Sequence, residues 1–370
     1  VARAAIVGAG TVRFEAGAGA PLEDLLREAS ARAVSSARGL DPGEIGAVMV
    51  SSNAGDGYMG AILAERVGAR AGAAQRVECL CASGAGAIVT AWAHVTAGLA
   101  DVALVAGADA HDGPGRVFGW DASRGADRRP VMWASRFATA YMREHGAAPE
   151  DMAAVAARAH QNAQANPDAY EHGAWTAEDV MSSREVAPSL RLLECSRACT
   201  GAAAVIVASE RAARRLCETP AWVRGVGQRT LGASLTTNRS MSRLASAEAA
   251  AGDALRMARA EASDIDVAEV HDAFAVCEAM AAEAVGLAPR GRGAAMIRGL
   301  HSTGSRALNP RGGILGSGHA LGATGVAQAA EVARQLWGQA GARQADSART
   351  GLVHNMAAAA TSSTVIVMRA

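Results

Sequence analysis

Two cysteines one residue apart, Cys79 and Cys81, open the stretch CLCASGAGAI, in which every residue from Ala82 to Ala87 is small. The apolar run IVTAWAHV follows, so Cys81 falls where a strand gives way to a helix. A thiol there feels the positive end of the helix macrodipole, which favours the thiolate, the nucleophilic form of cysteine. Ala82, Ser83, Gly84 and Gly86 leave room above Cys81 for a ligand. Cys79, still in the strand, reads as a small buried hydrophobe.

A thiolate nucleophile needs groups that move protons. His271 in EVHDAFA, His319 in GILGSGHALGATG and His354 in GLVHNM each fall at a strand end or a helix start. Ligands of open α/β sheets gather at the carboxyl ends of strands, so three histidines placed this way form a set with Cys81. Cys195 and Cys199, in CSRAC, lack the second ligand pair of a zinc module, and no metal site is expected.

Composition narrows the function classes. Of 370 residues, 50% are hydrophobic and 19% charged, and 36 basic residues balance 36 acidic ones. This describes a globular chain long enough for two or more structural units, with no basic patch for nucleic acid. No uninterrupted apolar run of about 20 residues suggests a membrane span. Six scattered cysteines and no leader-like pattern in residues 1–20 lead us to expect a reducing cytoplasm. The sequence contains no lysine. Schiff-base chemistry on lysine is therefore excluded, and phosphate contacts fall to guanidinium or backbone groups.

The elements that must position these groups are also legible. VARAAIVGAGTVRF predicts a short buried strand and a tight glycine turn; the third glycine of a dinucleotide fingerprint is missing. Pro21, Glu23 and Asp24 open a helix that Gly39 closes, and Asp41-Pro42 caps a turn before a strand over 47–51. The plan then returns: TPAWVRGVGQRTLG echoes the first strand and turn, and SAEAAAGDALRMARAEASDIDVAEV repeats helix, Asp-containing turn and strand. Strands alternating with helices in two matching halves predict a layered α/β fold built by duplication. We expect a first half over 1–111 and 191–219, an inserted loop-rich subdomain over 112–190, and a second half over 220–370. Loop-rich inserts of this kind often carry substrate contacts.

The segments CASGAGAI, NAQANPDAY, LLECSRACTGAAAVIVAS, EVHDAFA, NPRGGILGSGHALGATGVAQ and GLVHNM occur in the order seen in the thiolase superfamily. Across essentially the whole chain the sequence resembles the sterol-carrier-protein-type and archaeal-type branches. The resemblance implies a thiolase fold: two duplicated βαβαβαββ halves in a layered α-β-α-β-α arrangement with an inserted loop domain. It implies Cys81 as the acyl-accepting nucleophile, His319 as its activator, and His271 at the oxyanion. His354 and Asn355 match the last motif, with Asn355 and Gly318 as substrate or oxyanion residues. Coenzyme A thioesters, or a pantetheine-linked carrier, are the implied donors, with no tightly bound cofactor. A homodimer or dimer of dimers is implied, as is a small partner protein with a zinc ribbon and oligonucleotide-binding fold. Trp120, Trp133, Phe137, Tyr141 and Tyr170 are candidates to line an acyl or pantetheine channel, with an insert core as the competing reading. Arg124, Arg128 and Arg129 are candidates to meet phosphates.

The sequence departs from the family pattern in places. Ala273 stands where this branch has a second, acid/base cysteine, and Cys277, one helical turn further on, is the nearest substitute. Ala357 to Ala360 replace the glycines expected after His354-Asn355, and alanine resists positive φ. Ala320 replaces a proline and Thr200 an aspartate. Three readings follow. The first is an acyltransferase passing an acyl group from Cys81 to a small acceptor, with or without C–C bond formation. The second is a conventional acetyl-CoA C-acyltransferase or decarboxylating condensing enzyme. The third is a catalytically idle scaffold subunit.

Overall fold

The computed structural model describes residues 3–17, 20–53, 57–110, 123, 128–170, 173–300 and 306–370. The first half holds β1 (Ala4–Glu15), α1 (Leu22–Ser36), β2 (Ala47–Ser51), α2 (Met59–Val67), β3 (Ala73–Val77), α3 (Ser83–Thr96) and β4 (Val102–Asp109). The intervening segment holds α4 (Pro130–His145), α5 (Pro149–Ala163), α6 (Ala177–Ser182) and the hairpin β5 (Glu185–Ala187) and β6 (Leu190–Arg191). The first half then resumes with β7 (Thr200–Ser209) and α7 (Glu210–Leu216). The second half holds β8 (Ala221–Thr230), α8 (Ala245–Ala258), β9 (Val267–Glu269), α9 (Ala275–Ala284), α10 (Gly293–Arg298), β10 (Ala307–Leu308) and α11 (Gly313–Ser317). It ends with α12 (Leu321–Leu336), β11 (Thr350–Ala357) and β12 (Ser362–Arg369).

The main sheet runs β10-β9-β11-β12-β8-β1-β7-β4-β2-β3. If each half's strands are lettered a to e along the chain, both halves read c-b-d-e-a, and the two a strands join them through Ala5–Trp222 and Ile6–Ala221. The duplication predicted from the helix and strand echoes is thus present in the strand order itself. Side-chain alternation along β7 shows how the layers are built. Ala203, Val205 and Val207 pack with residues of α3 and α12 in the central core, whereas Ala202, Ala204, Ile206 and Ala208 pack beneath α1. A strand buried on both faces has to be apolar throughout, as AAAVIVA is. Helices α8 and α9 cover the other outer face with the helices of the insert.

The glycines of β1 have a different use from the one expected. Gly8 and Gly10 make no turn, for β1 runs through them. A Cβ on Gly8 would lie 2.4 Å from the carbonyl oxygen of Ala33, and one on Gly10 2.3 Å from that of Ala29, so bare glycine lets α1 lie directly on the strand. Gly225 and Gly227 do the same for α8 in the second half, with Ala254 and Ala250 oxygens 2.0 Å from the would-be methyl positions. The insert is more helical than its composition suggested, because PEDMAAVAARAHQNA buries an apolar face at helical spacing. Among the described residues no helix is long and apolar enough to cross a membrane.

Candidate active site

Cys81 sits in a 3-10 turn, Leu80–Ala82, that leads from β3 into α3. Leu80 takes the left-handed φ of 50°, which costs a non-glycine residue about 1 kcal/mol and has to be held by its surroundings. Three bonds hold it: the Leu80 carbonyl accepts from Asn53 Nδ2 at 3.1 Å and Ser83 Oγ at 2.6 Å, and its amide donates to Glu78 Oε1 at 2.7 Å. Asn53 is fixed in turn by the buried Asp109 at the end of β4, which accepts from its backbone amide at 2.9 Å. The second oxygen of Asp109 accepts from the amide of Gly322 at 2.5 Å, and Ser51 Oγ donates to the Gly322 carbonyl at 2.7 Å. The start of α12, which carries the His319 loop, is thereby fastened to the half that carries Cys81. Neither Asn53 nor Asp109 was singled out from the sequence; the signal was an acidic residue closing the otherwise uncharged strand VALVAGAD.

Cys79 corrects an expectation. It is exposed, and it lies past the end of β3, the edge strand of the sheet, at the start of the turn that holds Cys81. Partial burial of its sulfur and the charge of Glu78 push its thiol up from the ordinary value.

The histidines come together. The rings of His271 and His319 meet edge to face, 5.3 Å between centroids, and both line a cavity of about 770 Å³ that Cys81 also lines. Their hydrogen bonds assign them opposite tautomers. Asn355 accepts from the Ala85 amide through Oδ1, at 3.5 Å, which turns its Nδ2 towards His271 Nδ1 at 2.9 Å. His271 Nδ1 accepts, so the ring proton is on Nε2. Burial above all, then the neighbouring rings of His319 and His354, holds His271 well below the ordinary imidazole value and keeps it neutral. For His319 the partner is Thr324, 2.9 Å from Nδ1; that hydroxyl gives its proton to the Ala320 carbonyl at 3.2 Å and so accepts from the ring. His319 Nε2 therefore carries the lone pair.

The other expected site residues take supporting places. His354 and Asn355 are fully buried behind the cavity wall and do not line it. His354 is pushed down to about 3 by burial, and its Nδ1 accepts from the His271 amide at 3.5 Å. Gly318 precedes His319 with φ 95°; a Cβ there would lie 2.7 Å from Cys199 Sγ. Cys277 is packed in the core of α9, fully buried and away from the cavity lining, with burial and then Asp272 raising its thiol far above the ordinary value. The turn that Cys277 was expected to share with Ala273 does not exist, because α9 begins only at Ala275. Two other cysteines, Cys195 and Cys199, do line the cavity, both pushed up to about 12 by burial. Trp133 and Arg129 border it too. Phe137 and Tyr141 are buried in the core that the insert shares with α8 and α9, Tyr170 packs against the central core, and Trp120 and Arg124 lie outside the described residues.

The alanines after His354-Asn355 do adopt the conformation expected of glycines. Ala358, Ala359 and Ala360 have φ of 49°, 63° and 56°, a left-handed turn closed by the Thr361 amide on the Ala357 carbonyl at 3.2 Å. Ala357 and Ala358 pack against Ala82 and Leu80, the residues that flank Cys81.

Comparison with known proteins agrees with this geometry. The family models described as "Thiolase, N-terminal domain" and "Thiolase C-terminal domain-like" match residues 4–110 and 227–370. The chain is 34% identical over 368 residues to the acetyl-CoA acetyltransferase of Methanothermobacter thermautotrophicus, covering 95% of each. It is 35% identical over 223 residues to sterol carrier protein 2 of Gallus gallus, covering 58% of this chain and 41% of that protein. The solved structure titled Ltp2-ChsH2(DUF35) aldolase superposes with a TM-score of 0.87 at 25% identity, covering 100% of this chain and 98% of that one. With its doubled c-b-d-e-a sheet and a cysteine and two histidines around one cavity, the chain belongs to the thiolase superfamily of acyltransferases and resembles its archaeal and sterol-carrier-type members.

Proposed function

We propose that the protein takes an acyl group from a coenzyme A or carrier-bound thioester onto Cys81 and passes it to a small acceptor. The observation that carries this reading is the pair of opposite tautomers in the cavity that Cys81 lines: His319 protonated on Nδ1, towards Thr324, and His271 protonated on Nε2. His319 Nε2 takes the thiol proton, and the Cys81 thiolate attacks the thioester carbonyl. His271 Nε2–H donates to the developing oxyanion and is neutral when it does so. Collapse of the tetrahedral intermediate expels the donor's thiolate, which recovers the proton from His319. The acyl-enzyme then meets the acceptor, and C–C bond formation follows where the acceptor supplies a carbanion. The exposed guanidinium groups of Arg129 and Arg184 border the cavity and suit the phosphates of coenzyme A.

The chain acts as a homodimer or dimer of dimers: β3 ends the sheet and offers its outer edge to a second copy. The solved neighbour's title pairs it with a DUF35 protein, which supports a small partner of that kind here. The test is intact mass after incubation with a panel of acetyl, longer acyl and malonyl thioesters, with Cys81→Ala as control. One adduct, lost in the variant, is the expected result and identifies the donor. No adduct with any donor, alone or with such a partner, overturns the reading in favour of a scaffold.

A further inference from the structure

We infer that Asn238 and Ser246 are positioning residues for the attack of Cys81, acting through the left-handed turn Ala358–Ala360; the catalytic part of this inference rests on the function proposed above. Three consecutive alanines with positive φ do not hold that shape unaided, since the Cβ of each crowds its own carbonyl oxygen. Strained backbone of this sort persists where its surroundings over-determine it. Here the surroundings are two side chains that come from outside the turn. Asn238 Nδ2 donates to the Ala359 carbonyl at 2.7 Å, and Ser246 Oγ donates to the Ala360 carbonyl at 2.6 Å. Ser246 also lies 2.8 Å from Ser363 Oγ, in the strand into which the turn leads, so it holds both the turn and its exit.

Both anchors are buried, Asn238 5% exposed and Ser246 not at all, and Oδ1 of Asn238 has no partner among the described residues. A buried amide with one oxygen unsatisfied is costly, and the bond it makes to the turn is the one that its burial secures. Neither anchor lines the cavity. The turn does: Ala357, Ala358 and Ala359 form its wall, and Ala357 and Ala358 pack on Leu80 and Ala82 on either side of Cys81. The two left-handed segments, Leu80 and Ala358–Ala360, therefore brace each other across the nucleophile. If the turn relaxes, the wall facing the thioester moves, while His271 and His319 keep their bonds to Asn355 and Thr324.

The experiment compares the full chain with Asn238→Ala, Ser246→Ala, and each of these combined with glycine at 358, 359 and 360. Three quantities are read: the rate of Cys81 acylation by acetyl-CoA or the best thioester of the panel, the rate of Cys81 alkylation by iodoacetamide, and hydrogen exchange over residues 352–365. Removing an anchor is expected to slow acylation about tenfold to a hundredfold, as misplacement by an ångström does, leave alkylation within about twofold, and speed exchange in the turn. Glycine, which accepts positive φ without strain, is expected to recover much of the lost acylation. The inference is overturned if acylation and alkylation fall together, if glycine recovers nothing, or if exchange in the turn is unchanged. Should wild type take no acyl group from any donor, the proposed function fails and the catalytic role with it. Exchange still decides whether Asn238 and Ser246 hold the turn.

Discussion

Asn355 Nδ2 lies 2.9 Å from His271 Nδ1, joining β11 to the loop after β9 across 84 residues of sequence. An amide in the last motif, GLVHNM, therefore sets the tautomer of the histidine in EVHDAFA, and does so from behind the cavity that this histidine lines. Asn355→Asp replaces a donor by an acceptor, which draws the ring proton to Nδ1 and leaves Nε2 bare. Acylation of Cys81 is expected to slow by about 10²–10³, the usual cost of losing an oxyanion donor. Single-turnover mass measurement checks this; an unchanged rate would remove His271 from the oxyanion role.

Thr324 holds the other tautomer. Thr324→Val deletes the acceptor for His319 Nδ1–H, and acylation should fall about tenfold or more, with a changed pH–rate profile, while Thr324→Ser retains activity. Equal losses in Val and Ser variants would show that packing, not the hydroxyl, matters at this position.

The crossing of α3 and α12 leaves no room for a methyl group at Gly325. A Cβ there would lie 2.4 Å from both the Ala85 amide nitrogen and Asn355 Oδ1. Gly325→Ala is expected to cost about 1–3 kcal/mol of stability through overpacking and to slow acylation by displacing Asn355. Thermal unfolding and acylation rates are the measurements, and loss of one without the other would separate the two effects.

Stability should depend on pH through His354. Its folded-state value of about 3 lies below that of an ordinary imidazole, so the unfolded chain binds the proton first as pH falls. The stability from burying the neutral ring is complete above about pH 6.5 and is lost towards pH 3, at about 1.4 kcal/mol per unit. His271, shifted in the same direction, adds to this. His354→Asn should flatten the decline in unfolding free energy between pH 6.5 and 4; identical slopes would disprove the assignment.

Among six cysteines, Cys81 should be alkylated first. Cys199 and Cys277 are fully buried, and burial pushes the Cys195 thiol up to about 12. Cys79 is exposed but raised by partial burial and Glu78, and should follow second. Peptide mapping after brief iodoacetamide treatment gives the order, and uniform labelling would contradict it.

The sequence by itself determined the parts that depend on local chemistry. The small residues after Cys81 placed that cysteine at a helix start; capping residues and helical or alternating periodicity placed α1, β2 and α8 close to where they stand. The echo of strand, helix and turn announced the duplication. What only the tertiary structure decided are the relationships between distant segments. The GxG of β1 reads locally as a turn, yet α1 lies on it, and the same glycines serve close packing. Cys277 is near Ala273 in sequence, but the late start of α9 turns it into the core, while Cys195, almost eighty residues earlier, reaches the cavity. Alanines that resist positive φ adopt it because Asn238 and Ser246, over a hundred residues away, hold their carbonyls. Local propensity amounts to about a kilocalorie per residue, and buried hydrogen bonds and steric contact from elsewhere in the chain are enough to override it.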